Sequence, residues 1–112
     1  MQQLPASAVQ QLLRSADADQ RPLLLDVREP WEFQQAAIHA PQAQTLHIPM
    51  REIPSRLAEI DPDRTIVCVC HHGMRSLQVA HFLTQRGYAN VINLQGGIDA
   101  WSSEIDPSVP RY

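Results

Sequence analysis

Thr65-Ile66-Val67-Cys68-Val69, running directly into Cys70-His71-His72-Gly73-Met74-Arg75-Ser76, is the stretch that decides the fold. Its first part is unbroken, apolar and β-branched, the composition of a strand buried on both faces. From Arg75 the pattern changes to a helix. Leu77, Val79, Ala80, Phe82 and Leu83 supply the buried side, and Gly87 stands where a C-cap falls. A strand ending in cysteine, a short loop with one glycine and a helix N-terminus predict an α/β unit with its chemistry at the strand's carboxyl end.

The loop has the parts needed to hold a reactive sulfur beside an anion. The first N–H groups of a helix lack intrahelical partners, and a compact loop can aim its own N–H groups at the same point. A helix N-terminus and a nearby cation both stabilise a thiolate. Gly73 can take the positive φ that such a curl needs, and Arg75 adds a fixed fork suited to an oxyanion. Cys70 is therefore the candidate nucleophile. The plain alternative is a buried structural cysteine at a strand end. Cys68, inside the strand, reads as buried filler or as a resolving thiol.

Working outward, Val9, Leu12, Leu13 and Ala16 after Pro5 have the spacing of an amphipathic helix. Leu23-Leu24-Leu25-Asp26-Val27 reads as a buried strand, with Asp26 and Arg28 at its carboxyl end. That pair either braces the cysteine loop or fixes the turn as an internal ion pair. Glu29-Pro30-Trp31-Glu32-Phe33 begins a short helix whose aromatics are expected to face inward. Thr45-Leu46-His47-Ile48 forms a further strand closed by Pro49. Ile53, Leu57 and Ile60 predict a helix with a charged outer face. Val91-Ile92-Asn93-Leu94 is the last strong strand, and Gly96-Gly97 turns the chain into a final helix anchored by Trp101. The tail from Asp106 to Tyr112, with two prolines, is expected to be extended on the surface or free.

The 112 residues suit one unit, with residues 1–112 as a single domain. The net charge is −3, without a basic run, which argues against a nucleic-acid partner. All nine basic residues are arginine, so neither a Schiff-base lysine nor a lysine-bearing phosphate loop is available. The two cysteines lie one residue apart on one strand and make no disulfide framework. Neither a leader nor a membrane-length apolar run is evident, so the expectation is a reducing cytoplasm and no membrane partner. No metal-ligand spacing accompanies Cys70, His71 and His72, and no metal is expected.

Cys70 to Ser76 resembles the active-site loop of single-domain rhodaneses, the thiosulfate sulfurtransferase-like family. Three further stretches agree with it in order: Leu25-Asp26-Val27-Arg28-Glu29 with Trp31-Glu32-Phe33, His47-Ile48-Pro49, and Gly96-Gly97-Ile98-Asp99-Ala100-Trp101. The segment Gln34 to Leu46 departs from the family: it lacks glycine and is longer. His39 within it reads as a surface histidine.

The resemblance implies a three-layer rhodanese-like α/β domain with a mainly parallel sheet of about five strands. It also implies a ping-pong sulfur transfer through a Cys70 persulfide, with no cofactor. The donor is a small sulfur anion such as thiosulfate, and the acceptor is cyanide, a thiol or an acceptor protein. His71, His72, Gly73, Met74, Arg75 and Ser76 are the expected substrate-binding loop. Arg75 would hold the sulfonate end or balance charge, with Asp26 and Arg28 in support. His71 and His72 are expected to face the acceptor, the alternative being that they lower the thiol pKa or act in acid–base catalysis, and His47 is expected to contact backbone. Two rival readings stand beside it. A protein-binding or sulfur-carrier module would keep the fold without turnover. A cysteine-dependent phosphatase or arsenate reductase would need one residue more between its Cys and Arg than the four found here.

Overall fold

The computed structural model describes residues Met1–Tyr112. Five strands form one parallel sheet: β1 (Gln2–Leu4), β2 (Leu23–Asp26), β3 (Gln44–His47), β4 (Ile66–Val69) and β5 (Val91–Leu94), in the order β1-β5-β4-β2-β3. Four α-helices connect or flank them: α1 (Ala6–Ser15), α2 (Pro30–Gln35), α3 (Met74–Gln85) and α4 (Gly97–Glu104). No helix is long and apolar enough to cross a membrane.

The period of two along the strands sorts the core into two clusters. Leu24, Val67, Val69, Ile92 and Leu94 point to one face, where Val9 and Leu13 of α1 and Ile98 and Trp101 of α4 cover them. Leu23, Leu25, Ile66, Cys68, Cys70 and Val91 point to the other, beneath Val79, Ala80 and Leu83 of α3. This gives the expected three layers. Each fully buried aliphatic side chain contributes about 1.5–3 kcal/mol relative to exposure, so both faces must stay covered. The central strands β2, β4 and β5 are buried at every position. The 70–76 loop and the 27–29 turn leave the carboxyl ends of β4 and β2.

The expected fifth strand is β1, which pairs only with β5 at the sheet edge; its short polar sequence carries no apolar alternation. Three local expectations are corrected. The 53–60 segment is not an α-helix but a 3₁₀ turn over Pro54–Glu59, following another over Met50–Glu52. Pro54 withholds a backbone donor there, and Arg56 breaks the helical path at φ −118 and ψ 20. Trp31 does not face inward: it is 60% exposed, and Glu32 takes the buried position on α2. Finally, the tail is neither free nor merely superficial. Val109 is buried in the α1/α4 cluster, Ser102 donates to its carbonyl, and Arg111 pairs with Asp99.

Candidate active site

Cys70 follows β4 by one residue and is only 1% exposed. Its surroundings distinguish it from ordinary core sulfur. Sγ lies 3.1 Å from the Gly73 amide nitrogen, 3.3 Å from that of Ser76 and 3.2 Å from Ser76 Oγ. Of the loop's amides, these two make the direct contacts with sulfur. One comes from the curl and one from the first turn of α3, where backbone donors have no intrahelical partner.

The curl is held from outside by α4. The amides of Ile98 and Asp99 donate to the carbonyls of Cys70 and His71 at 2.9 and 3.1 Å, turning both oxygens away from the sulfur. Gly97 makes this approach feasible: a Cβ there would lie 2.4 Å from each of those oxygens. Gly73 sits at φ 95, as the sequence predicts, and directs its N–H inward. Its carbonyl accepts from Asn93 Nδ2 at 3.0 Å, while Ser76 Oγ lies 2.5 Å from Asn93 Oδ1. Asn93 thus ties both walls of the loop to β5.

Arg75 does not stand free. Its guanidinium forms two parallel bonds to the Glu32 carboxylate, at 2.7 and 2.9 Å. Those bonds, more than anything else, hold the Glu32 carboxyl down at about 2. Glu32 also accepts the Tyr112 hydroxyl at 2.8 Å, and that hydroxyl accepts from Arg28 at 3.0 Å. Arg28 is fully buried and pairs with Asp26 at 2.7 Å. It further donates to the carbonyls of Glu32 and Ala36. Asp26 and Arg28 therefore form an internal ion pair that fixes the α2 turn, one shell behind the loop.

The Tyr112 ring stacks on His71 at 3.9 Å, and His71 stacks on His72 at 4.0 Å. Burial, followed by the neighbouring His72, pushes the His71 imidazole below its ordinary range. His72 and Met74 project outward, Met74 being 69% exposed. Trp31 meets the Tyr112 ring edge-on at 6.0 Å, extending the aromatic series to His72. Burial pushes the Cys68 thiol up, as suits core filler. His47 meets the Arg28 carbonyl through Nε2 at 2.7 Å, and His39 is exposed, both as expected.

Sequence reasoning gathers Cys70 to Ser76 correctly in space but misses Glu32, Asn93 and Tyr112. Asn93 carried a usable signal, being a polar residue in an inward position of an otherwise apolar strand. Glu32 looked like a first-turn helix residue, and it does accept the Glu29 amide in that capacity. Nothing local marks Tyr112.

Comparison with known proteins places these features in context. The model of the rhodanese-like domain matches residues 6–104. A sulfurtransferase from Allochromatium vinosum is 46% identical over 87 residues, covering 78% of this chain and 78% of that protein. The crystal structure of a rhodanese-related protein from Thermoplasma volcanium aligns with a TM-score of 0.79 at 27% identity, covering 100% of each chain. A NAD-dependent persulfide reductase from A. fulgidus aligns over 90% of this chain and 16% of its own, with a TM-score of 0.66 and 29% identity.

Proposed function

Because this chain belongs to the family of rhodanese-like domains, we propose that it is a sulfurtransferase, with residues 1–112 acting as one unit and Cys70 carrying the sulfur as a persulfide. The observation that carries this reading is the convergence of the Gly73 and Ser76 amides on Cys70 Sγ. Donors already aimed at a sulfur atom stabilise charge there without reorganising during the reaction.

In the first half-reaction the Cys70 thiolate attacks the outer sulfur of thiosulfate or another sulfane-sulfur donor. The donor's S–S bond breaks, sulfite leaves with the bonding pair, and the new terminal sulfur stays on Cys70. The first-turn amides of Met74 and Arg75, not engaged by helical bonding, are the further donors for that added atom. In the second half-reaction an acceptor nucleophile, cyanide in an assay or a thiol, takes the terminal sulfur and returns the Cys70 thiolate. Arg75, already neutralised by Glu32, supplies position more than net charge. No step calls for a cofactor, and the reducing cytoplasm is the compartment that suits a working thiol.

Four residues between Cys70 and Arg75, one fewer than a phosphatase loop carries, argue against a phosphatase reading. A protein-binding module without turnover draws support from the 1% exposure of Cys70 and from the exposed side chains of Trp31 and Met74. Thiosulfate:cyanide sulfurtransfer tests the choice: the account expects thiocyanate formation that disappears in Cys70→Ser. Binding of a protein partner without any thiocyanate would favour the module.

A further inference from the structure

Asn93 is fully buried behind the cysteine loop, and its amide group can sit only one way round. Its Nδ2 lies 3.0 Å from the Gly73 carbonyl oxygen and 3.0 Å from Gln3 Oε1 on the edge strand. A backbone carbonyl only accepts, so nitrogen must face it and the amide oxygen must face Ser76. Ser76 Oγ is 2.5 Å from that oxygen, and the one proton available to the contact is the hydroxyl's own. With its proton committed to Asn93, Ser76 presents only lone pairs to Cys70 Sγ, 3.2 Å away. A thiol can donate to those lone pairs. A sulfur anion cannot.

We infer that Ser76 and Asn93 form a proton-directing switch under Cys70: the Ser76 hydroxyl accepts from the resting thiol, and turns its own proton onto the sulfur when that sulfur becomes an anion. The inference rests on the reading of Cys70 as the reacting sulfur and names the residues that govern its two states. When the thiol ionises, its proton passes to solvent. Ser76 keeps its proton and only rotates, so no covalent bond to oxygen is made or broken. Rotation leaves the buried Asn93 oxygen without a donor, so Asn93 and the sulfur compete for the one hydroxyl proton. Asn93 is thus a positioning residue that sets where the Ser76 proton points, and Ser76 is the group that donates to the sulfur once it is an anion. Gln3 on the edge strand takes the second Nδ2 hydrogen through its own amide oxygen.

The test reads the thiol directly, so it is independent of whether thiosulfate or cyanide is a substrate. The S–H stretching band of Cys70, isolated as the infrared difference between wild type and Cys70→Ser, is expected at the lowered frequency of a donating thiol. In Ser76→Ala it moves to the free-thiol position. Alkylation of Cys70 by iodoacetamide at one near-neutral pH is expected to be about tenfold faster in Asn93→Leu, the worth of one hydrogen bond to a charged group. That gain vanishes in the Ser76→Ala/Asn93→Leu double variant, the coupling expected of two groups in one network. An unshifted wild-type band overturns the switch. So does an Asn93→Leu gain that persists without the hydroxyl, which would mean a loosened loop. If Asn93→Leu does not fold, the infrared comparison of wild type with Ser76→Ala decides alone.

Discussion

Glu32 on α2 grips Arg75 on α3 through two parallel hydrogen bonds of 2.7 and 2.9 Å, and this pair ties the far side of the cysteine loop to the turn after β2. Glu32 is 4% exposed, so the carboxylate has exchanged water for protein donors. Such an arrangement is costly to break by halves, since removing one partner strands the other.

The pair makes the stability of the fold depend on acid. The folded-state value for Glu32 lies at about 2, below the ordinary 4.5, chiefly because Arg75 bonds the charged form. A depressed carboxyl contributes stability that is fully present above its unfolded value and is lost as pH falls toward the folded one. Glu32→Gln is expected to cost about 2 kcal/mol at neutral pH, allowing for the solvent around half-exposed Arg75. Urea denaturation of both proteins checks it. The difference should hold constant above about pH 5 and shrink toward pH 2. A difference that does not change with pH would contradict the ion-pair account.

Gly97 should tolerate no side chain. It combines φ +62 with a virtual Cβ 2.4 Å from the carbonyl oxygens of Cys70 and His71. Gly87, at φ +92, has no atom within 4 Å of the same position. Gly87→Ala is therefore expected to cost only the backbone preference, about 1–2 kcal/mol. Gly97→Ala is expected to cost about 4 kcal/mol or more, because backbone must move. It should also alter the alkylation rate of Cys70, since α4 holds the loop's carbonyls outward. Equal effects at the two glycines in denaturation experiments would count against that role.

The difference between what was legible and what was not follows from distance along the chain. Cys70, Gly73 and Ser76 act within a few residues of one another, so a strand-loop-helix pattern reveals them. The α/β layering is legible for the same reason, because each central strand is a local apolar run. Glu32 reaches Arg75 across 43 residues and Asn93 reaches Gly73 across 20, while Tyr112 stacks on His71 of the loop from the far end of the chain. Their roles arise from packing, and packing also decides that Trp31 turns outward while Val109 turns in. The edge strand β1 needed its partner β5 before its register meant anything.

Tyr112 closes over this network and should report on it. Its hydroxyl joins Glu32 to Arg28, and burial, foremost, pushes that hydroxyl up to about 12. A raised value means the neutral form is favoured in the fold. The contribution is complete below the unfolded value near ~10 and is lost as pH rises toward the folded one. Ultraviolet titration should show both tyrosines above the ordinary range, since burial raises Tyr88 as well, and Tyr112→Phe should remove the Tyr112 signal. Tyr112→Phe keeps the stack on His71 and should cost about 1 kcal/mol. Tyr112→Ala removes the stack, so the His71 imidazole should rise toward its ordinary value in an NMR titration. An unchanged His71 would show that the tail does not cover it.

Intact-mass analysis after thiosulfate exposure and removal of excess donor addresses the persulfide itself. The account predicts that wild-type protein gains the mass of one sulfur atom, that Cys70→Ser does not, and that cyanide removes the gain as thiocyanate. A wild-type mass unchanged by every sulfane-sulfur donor tried, or a cyanide-releasable sulfur that persists in Cys70→Ser, would contradict it.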